Sequence, residues 1–232
     1  MVLDQLTDGA PWHVLEFDEK TRQLAYILML PLVDGVFATM LVSGYLQSFT
    51  SILNVAFTVF AGAGALAVLY SEAETTREAR SMVKKVAPYL ILAGGVVGVL
   101  APIFSQLFHV QRLQYATGLA ILVIALQIAD IDFVEGFSVP AVIITGLLLS
   151  VKSPSSIQAT TEYLLPALAT VGVACGGLYL LAGLEDRINV DTVRKGGVLV
   201  LGLISASLFG FSVPSEAGLA VLTASVILSL RN

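Results

Sequence analysis

The chain has 232 residues, of which 56% are hydrophobic and 12% charged, and its formal net charge is −5. Soluble domains carry about 25% charged residues, so this chain has too little polar surface to coat a water-facing globule, and a lipid bilayer is its expected surroundings. The 17 acids outnumber the 12 bases with no basic stripe, which argues against nucleic acid as a partner. A single cysteine, Cys175, excludes an internal disulfide, and two isolated histidines, His13 and His109, cannot build a His/Cys metal cluster.

Residues 1–23 carry Asp4, Asp8, Glu16, Asp18 and Glu19 ahead of the first apolar run. That is the wrong order for a cleavable signal peptide, which starts basic and turns apolar at once. The expectation is an acidic cytoplasmic tail over 1–23, with Trp12 and Phe17 along the membrane surface, and a transmembrane helical domain over 24–231.

A helix needs about 20 apolar residues to cross a bilayer. Apolar runs fall at 24–46, 50–70, 87–108, 115–129, 138–151, 163–183, 196–209 and 215–230. The first, second, third and sixth are long enough to span, whereas the other four are short and form two pairs. The predicted fold is therefore an all-α integral membrane protein, a helical bundle of six to eight transmembrane segments, some short or re-entrant. Both short pairs are joined by "GFSVP", at 136–140 and 210–214. Ser138 and Ser212 each suit a helix N-cap just ahead of a proline in the first turn. The pentapeptide also fits an internal duplication, with the two hairpins entering from opposite faces as an inverted repeat.

The bases set the orientation. With the N-terminus inside, Lys20, Arg22, Arg77, Arg80, Lys84, Lys85, Arg187, Arg194, Lys195 and Arg231 fall on the inner side. Only Arg112 and Lys152 fall outside. Both termini are expected in the cytoplasm of a multi-pass cell-membrane protein. The loop "SEAETTREARSMVKKVAP" reads as a solvated helical turn or two at the inner interface, where Lys84 and Lys85 can meet anionic headgroups.

The first run holds the most informative residues. In "LMLPLVDGVFATMLVSG", Pro31, Asp34 and Gly35 interrupt an otherwise oily segment. A carboxylate at a helix centre costs roughly 2.5–3.5 kcal/mol on insertion scales, so Asp34 needs a partner, a proton or a water-filled cavity. Pro31 removes a backbone hydrogen bond and crowds Ile27, which predicts a kink or unwound stretch. Asp34 would then bind a cation or carry a coupling proton, or else cap the second half of a kinked helix. Helix 2 places Asn54, Thr58, Gly62 and Ala65 on one face, where Asn54 and Thr58 are expected to reach Asp34. Gly94 and Gly98, like Gly172 and Gly176, form GxxxG packing patterns; Pro102 is expected to bend its helix, and Glu216 to favour a helix start. No Walker loop, HExxH, hydrolase elbow or glycosidase-like carboxylate pair occurs, so neither an enzyme nor a cofactor is expected.

Through "MLPLVDGVFATMLVSG", "ILNVAFTVFAGAGALAVL" and "SVPAVIITGLLLS" the chain resembles an uncharacterised family of small multi-span membrane proteins from halophilic archaea. The resemblance runs from about residue 24 to 230 and implies location and architecture but no reaction. More distantly, Pro31, Asp34 and Gly35 are similar in style to the broken first helix of the lysine-exporter and metal-exporter superfamily, whose members have about six spans in two inverted halves. This chain lacks that superfamily's Glu-x-Gly-Asp-Lys/Arg cation-exchanger signature. The expected function is a small secondary transporter or exporter of an ion or small solute, its site formed by Asp34, Pro31, Gly35, Asn54 and Thr58. The alternative is a structural or regulatory membrane protein that moves nothing. The bilayer is the expected partner, and a homo-oligomer is compatible with the sequence.

Overall fold

The structure, a computed structural model, describes residues 17–131, 134, 136–152, 161–184 and 188–230. Trp12, His13, Asp132, Glu135, Arg187 and Arg231 lie outside the described residues. Among the described residues the chain is all-helical, with ten α-helices and no strand. They are α1 (Glu19–Val33), α2 (Val36–Val42), α3 (Phe49–Val55), α4 (Ala63–Glu72), α5 (Thr76–Leu107), α6 (Val110–Ile128), α7 (Val139–Ser150), α8 (Leu164–Leu181), α9 (Val190–Leu208) and α10 (Ser215–Ser229).

Two helices, α5 and α8, are long and apolar enough to cross a membrane. The count rises to four if two bent pairs are each one span: α1 with α2, bent by 42°, and α3 with α4, bent by 50°. The first bend falls at Asp34–Gly35, one turn beyond Pro31 rather than at the proline itself. The second was not foreseen. There α3 widens into a single π-turn over Ala56–Phe60 and ends before Gly62. A Cβ on Gly62 would lie 2.3 Å from the Thr58 carbonyl oxygen, so only glycine lets the chain turn back over the widened turn.

The helical turn or two expected over 71–88 belongs to a longer element: from Thr76 it is the start of α5, which runs unbroken through Pro88 and Pro102. Thr75 caps it by accepting from the Glu78 N–H at 3.2 Å, and Glu78 reaches back to the Glu74 N–H at 2.9 Å. This Thr-x-x-Glu signal nucleates a helix even among charged residues. At about 1.5 Å per residue α5 extends about 48 Å, so its charged first turns project beyond the apolar part. Lower down, α5 packs on α8. A Cβ on Gly94 would meet Val171 at 2.7 Å, and one on Gly98 would meet Ala167 at 3.0 Å. That GxxxG face does pack. The Gly172/Gly176 face does not: nothing lies within 4 Å of either position, because α8 turns Val171 and Ala167 toward α5 instead.

The helices α6–α7 and α9–α10 form two antiparallel hairpins closed in the same way. His109 N–H donates to the Ser150 carbonyl at 2.7 Å, and Asn189 N–H donates to the Ser229 carbonyl at 3.2 Å. Both hairpins also cross at glycine. In the first, a Cβ on Gly146 would sit 2.2 Å from that of Ala116; in the second, one on Gly196 would sit 1.9 Å from Ser225 Oγ. Each outgoing helix ends in the same left-handed turn. The N–H groups of Asp130 and Ile131 donate to the Gln127 and Leu126 carbonyls, and those of Gly210 and Phe211 to the Ser207 and Ala206 carbonyls, the Schellman pattern. Asp130 at φ 56° is the non-glycine residue that adopts this conformation, and Gly210 has φ 91°.

The GFSVP repeat is out of step with this equivalence. Its first glycine, Gly136, lies six positions past the Asp130 turn, whereas Gly210 is the turn. Ser138 caps α7 as expected, accepting from the Ala141 N–H at 3.4 Å. Ser212 does not cap α10, whose first helical residue follows Pro214. After the early turn at Gly210, Ser212 sits in a second tight turn, closed by the Val213 N–H donating to the Phe211 carbonyl at 2.8 Å, so the same five residues begin the two helices differently.

Between the hairpins, α6 lies antiparallel on α9. Ser205 Oγ donates to the Gly118 carbonyl at 2.9 Å, and Arg194 pairs with Asp130 at 2.8 Å. The bases separate toward two ends of the bundle. Lys20, Lys85 and Arg80 gather where α1 and α5 begin, while at the far end Lys152 bonds the Ser105 carbonyl and Arg112 the Leu149 carbonyl. Large apolar side chains such as Leu92, Leu148, Leu165 and Leu180 face outward.

Candidate functional site

Pro31 lacks an N–H, so the α1 ladder is already short of one bond where the break comes. Asp34 donates its own N–H to the Leu30 carbonyl at 2.9 Å and is the last residue with helical geometry. Gly35 follows at φ 83°, in the left-handed region that favours glycine. Its open side faces α7, where a Cβ would meet Ile143 Cγ2 at 3.2 Å. Asp34 Oδ1 then accepts from the Val36 N–H at 3.1 Å and so caps α2. The freed Gly35 carbonyl is answered by the Thr39 N–H and hydroxyl, both at 3.0 Å. The Val36 N–H and the Gly35 carbonyl are thus answered from within the break.

The Asp34 carboxylate is half-buried and borders a cavity of about 360 Å3. The walls are apolar: Val97, Leu100 and Phe104 from α5, Leu113 from α6, Pro140 and Ile143 from α7. Val33 and Ile144, both largely exposed, flank its outer side. Pro31 is buried in α1 a turn before the acid.

Asn54 and Thr58 do not meet Asp34. Thr58 Oγ1 donates to the Asn54 carbonyl at 2.5 Å, inside its own helix. Asn54 is 2% exposed and borders a separate cavity of about 40 Å3, with Tyr45, Ser51, Ser207 and Pro214. A Cβ on Gly218 would lie 2.6 Å from its amide nitrogen, so α10 presses its first turn onto that side chain. Phe37 of α2 packs edge to face on Phe60, at 5.2 Å between ring centroids. Sequence reasoning missed Tyr45 and Ser51, although "SGYLQSFTS" is a polar cluster in an apolar chain; both line the small cavity beside Asn54.

At the end where α1 and α5 begin, Lys20 and Lys85 are paired with acids. Lys85 holds Asp18 at 2.8 Å and, with help from the Thr21 hydroxyl, draws its carboxyl down to about 2. Lys85 is therefore committed to α1, in place of the headgroup role expected for it. Lys195 and Arg194 likewise pair with Asp191, at 2.7 and 3.4 Å. Among the described residues, no group of three or more His, Cys, Asp or Glu side chains is placed to hold a metal ion.

An all-helical chain with two to four helices fit to cross a membrane and one carboxylate at a helix break defines an architecture but no reaction. The family described as a family of unknown function, DUF5794, matches residues 90–209, just over half the chain, and the chain belongs to it. The match takes in α5 from Leu90 onward and α6 to α9, and leaves Asp34, Asn54 and Thr58 outside. No curated protein and no solved structure matches the chain.

Proposed function

We propose that the chain is a multi-pass integral membrane protein that works as a small secondary transporter of an ion or small solute, with Asp34 as its charged contact. The observation that carries this reading is the cavity of about 360 Å3 against a half-buried carboxylate. A carboxylate held among apolar walls binds a cation or exchanges a proton more readily than one in water. The outward-facing leucines support a lipid surround, since such a surface is costly in water. Six to eight segments are supported by the two hairpins. Their outgoing helices of 19 residues extend about 28 Å, close to the thickness of a bilayer core. The antiparallel packing of α6 of one hairpin on α9 of the other suits an inverted repeat, and the gathering of bases at one end suits cytoplasmic termini. A likeness to exporters belongs to the same proposal, as does the origin in halophilic archaea.

The capping bond from Val36 N–H to Asp34 favours one rival, in which the acid only stabilises the bend. Asp34→Asn separates the two, because asparagine keeps the acceptor and loses the charge. Reconstituted protein is loaded into vesicles with a pH-sensitive dye and challenged with a panel of cations and amino acids. In the transport reading one solute drives proton or solute flux, and D34N abolishes it while unfolding at the native temperature. If no solute moves, and only Asp34→Ala lowers stability, the acid is a cap and the transport reading falls.

A further inference from the structure

The end of the bundle where α5 begins and α8 finishes carries two cations that have no carboxylate partner among the described residues. Arg80 and Lys84 stand one turn apart on α5, a spacing at which like charges repel. Both are nonetheless drawn to one ring: Arg80 Cζ and Lys84 Nζ each lie 5.3 Å from the centroid of Tyr179. Their neighbours are committed elsewhere, Lys20 to Glu74 and Glu78 and Lys85 to Asp18. Among the described residues neither Arg80 nor Lys84 has an acidic partner, and Arg80 Nε is buried without an acceptor. The guanidinium also lies tight over the end of α8, where a Cβ on Gly183 would sit 2.3 Å from an outer nitrogen of Arg80. Burying part of an unanswered cation beside a second cation is unfavourable unless something acts at the outer nitrogens. The Tyr179 face supplies part of that attraction.

We propose that Arg80, Lys84 and Tyr179 form a binding site for a phosphate-bearing anion at the membrane surface. Phosphate oxygens match an arginine fork and can accept from a neighbouring ammonium at once. Lys84 is exposed, so it can close on such a group, while Arg80 is pre-set by the ring and by Gly183. The site sits in the charged first turns of α5, just ahead of its apolar part, where headgroups lie if α5 crosses a bilayer. The source of the phosphate is either an anionic phospholipid or free phosphate. The site does not depend on Asp34 or on transport.

The test is thermal unfolding of the full chain in neutral detergent, titrated separately with phosphatidylglycerol, phosphatidylcholine and inorganic phosphate. The expected result is stabilisation by phosphatidylglycerol above that by phosphatidylcholine, with roughly fivefold weaker apparent binding for Lys84→Gln, about the effect of one basic residue near an anionic surface. Lys85→Gln, whose cation is already held by Asp18, keeps the native response. Equal stabilisation by inorganic phosphate supports the site and assigns it to the free ion. Because Lys84 is exposed, K84Q keeps the fold even if Arg80→Gln does not. The proposal is overturned if no phosphate compound stabilises the protein, or if K84Q responds as the native chain does. It is also overturned if Glu185→Gln with Asp186→Asn changes the response while K84Q does not, since the cations are then matched from within the chain.

Discussion

Replacing Gly35 by alanine tests the break in the first helix directly. At φ 83° an alanine pays roughly 1–2 kcal/mol for the left-handed conformation, and its new methyl lies 3.2 Å from Ile143 Cγ2, closer than a comfortable contact. Alanine also loses less chain entropy on folding than glycine, which returns about 0.4–1 kcal/mol only where its conformation fits. Here it does not fit, so the net loss is about 1–2 kcal/mol. For a chain of this length each kcal/mol lowers the unfolding midpoint by about 2–4 °C, so thermal unfolding in detergent should fall by about 2–8 °C. The double-mutant cycle with Ile143→Ala divides that loss. The steric part vanishes in the I143A background and the conformational part remains. If G35A unfolds within a degree of the native chain, the left-handed glycine does not hold the break and the account of α1 and α2 is wrong.

The hairpin crossings give a second test. Gly146→Ala and Gly196→Ala should each lose about 1–3 kcal/mol by overpacking. Ala116→Gly should rescue the first and Ser225→Gly the second, while Gly172→Ala, with nothing within 4 Å, should be neutral or slightly stabilising. Equal melting of G146A and G172A would refute the crossing. Ser205→Ala removes the bond to the Gly118 carbonyl between α6 and α9 and should lose about 0.6–1.7 kcal/mol, read by the same melt. The Asp18–Lys85 tie gives a pH dependence. The folded carboxyl, drawn to about 2 from its ordinary 3.8, contributes stability above about pH 4 that fades as pH falls through 2. Both side chains are about half exposed, so the gain is screened to roughly 0.2–1 kcal/mol. Hydrogen exchange at the first turn of α1 should rise over that window in the native chain but be high already at pH 5 in Lys85→Gln; identical profiles would refute the tie.

Local signals in the sequence carried over where one residue's own chemistry decides the outcome. Pro31, Asp34 and Gly35 announced a break because a missing N–H, a capping carboxylate and a left-handed residue need no partner from elsewhere. Ser138 was legible for the same reason, whereas GxxxG was not decisive: the Gly94/Gly98 face packs on α8 and the Gly172/Gly176 face meets nothing within 4 Å. Relations between helices were not legible. Asn54 and Thr58 lie on one face by helical spacing, but Asn54 packs against Gly218 of α10 and Thr58 bonds back to the Asn54 carbonyl. The identical GFSVP pentapeptides suggested equivalence, yet Gly210 ends a helix while Gly136 comes after one has ended. Reading runs by their lack of charge also cut α9 and α5 short. Asp191, Arg194 and Lys195 sit in the first turns of α9, and Thr75 to Lys85 in or before those of α5, where charged side chains reach water without leaving the helix.

The Asp34 cavity divides between two parts of the chain, and that division can be used. Val97, Leu100, Phe104, Leu113, Pro140 and Ile143 all fall in the segment 90–209 matched by the family, whereas the acid comes from outside it. The family segment therefore supplies one side of the container, and the broken first helix supplies the other side, with Leu32, Ala38 and Val42, together with the charge. If solute passes through that space, filling it should stop transport without touching the carboxylate. Ile144→Trp is suited to this, because Ile144 lines the cavity and is 56% exposed, so a larger ring has room to enter without opening the core. Substitutions at exposed positions usually change stability within about 0.5 kcal/mol, so I144W should melt near the native chain. Its flux in vesicles should drop as far as that of D34N. A variant that folds normally and transports at the native rate would show that solute does not use this space, and Asp34 would then keep its cap to Val36 as its one role.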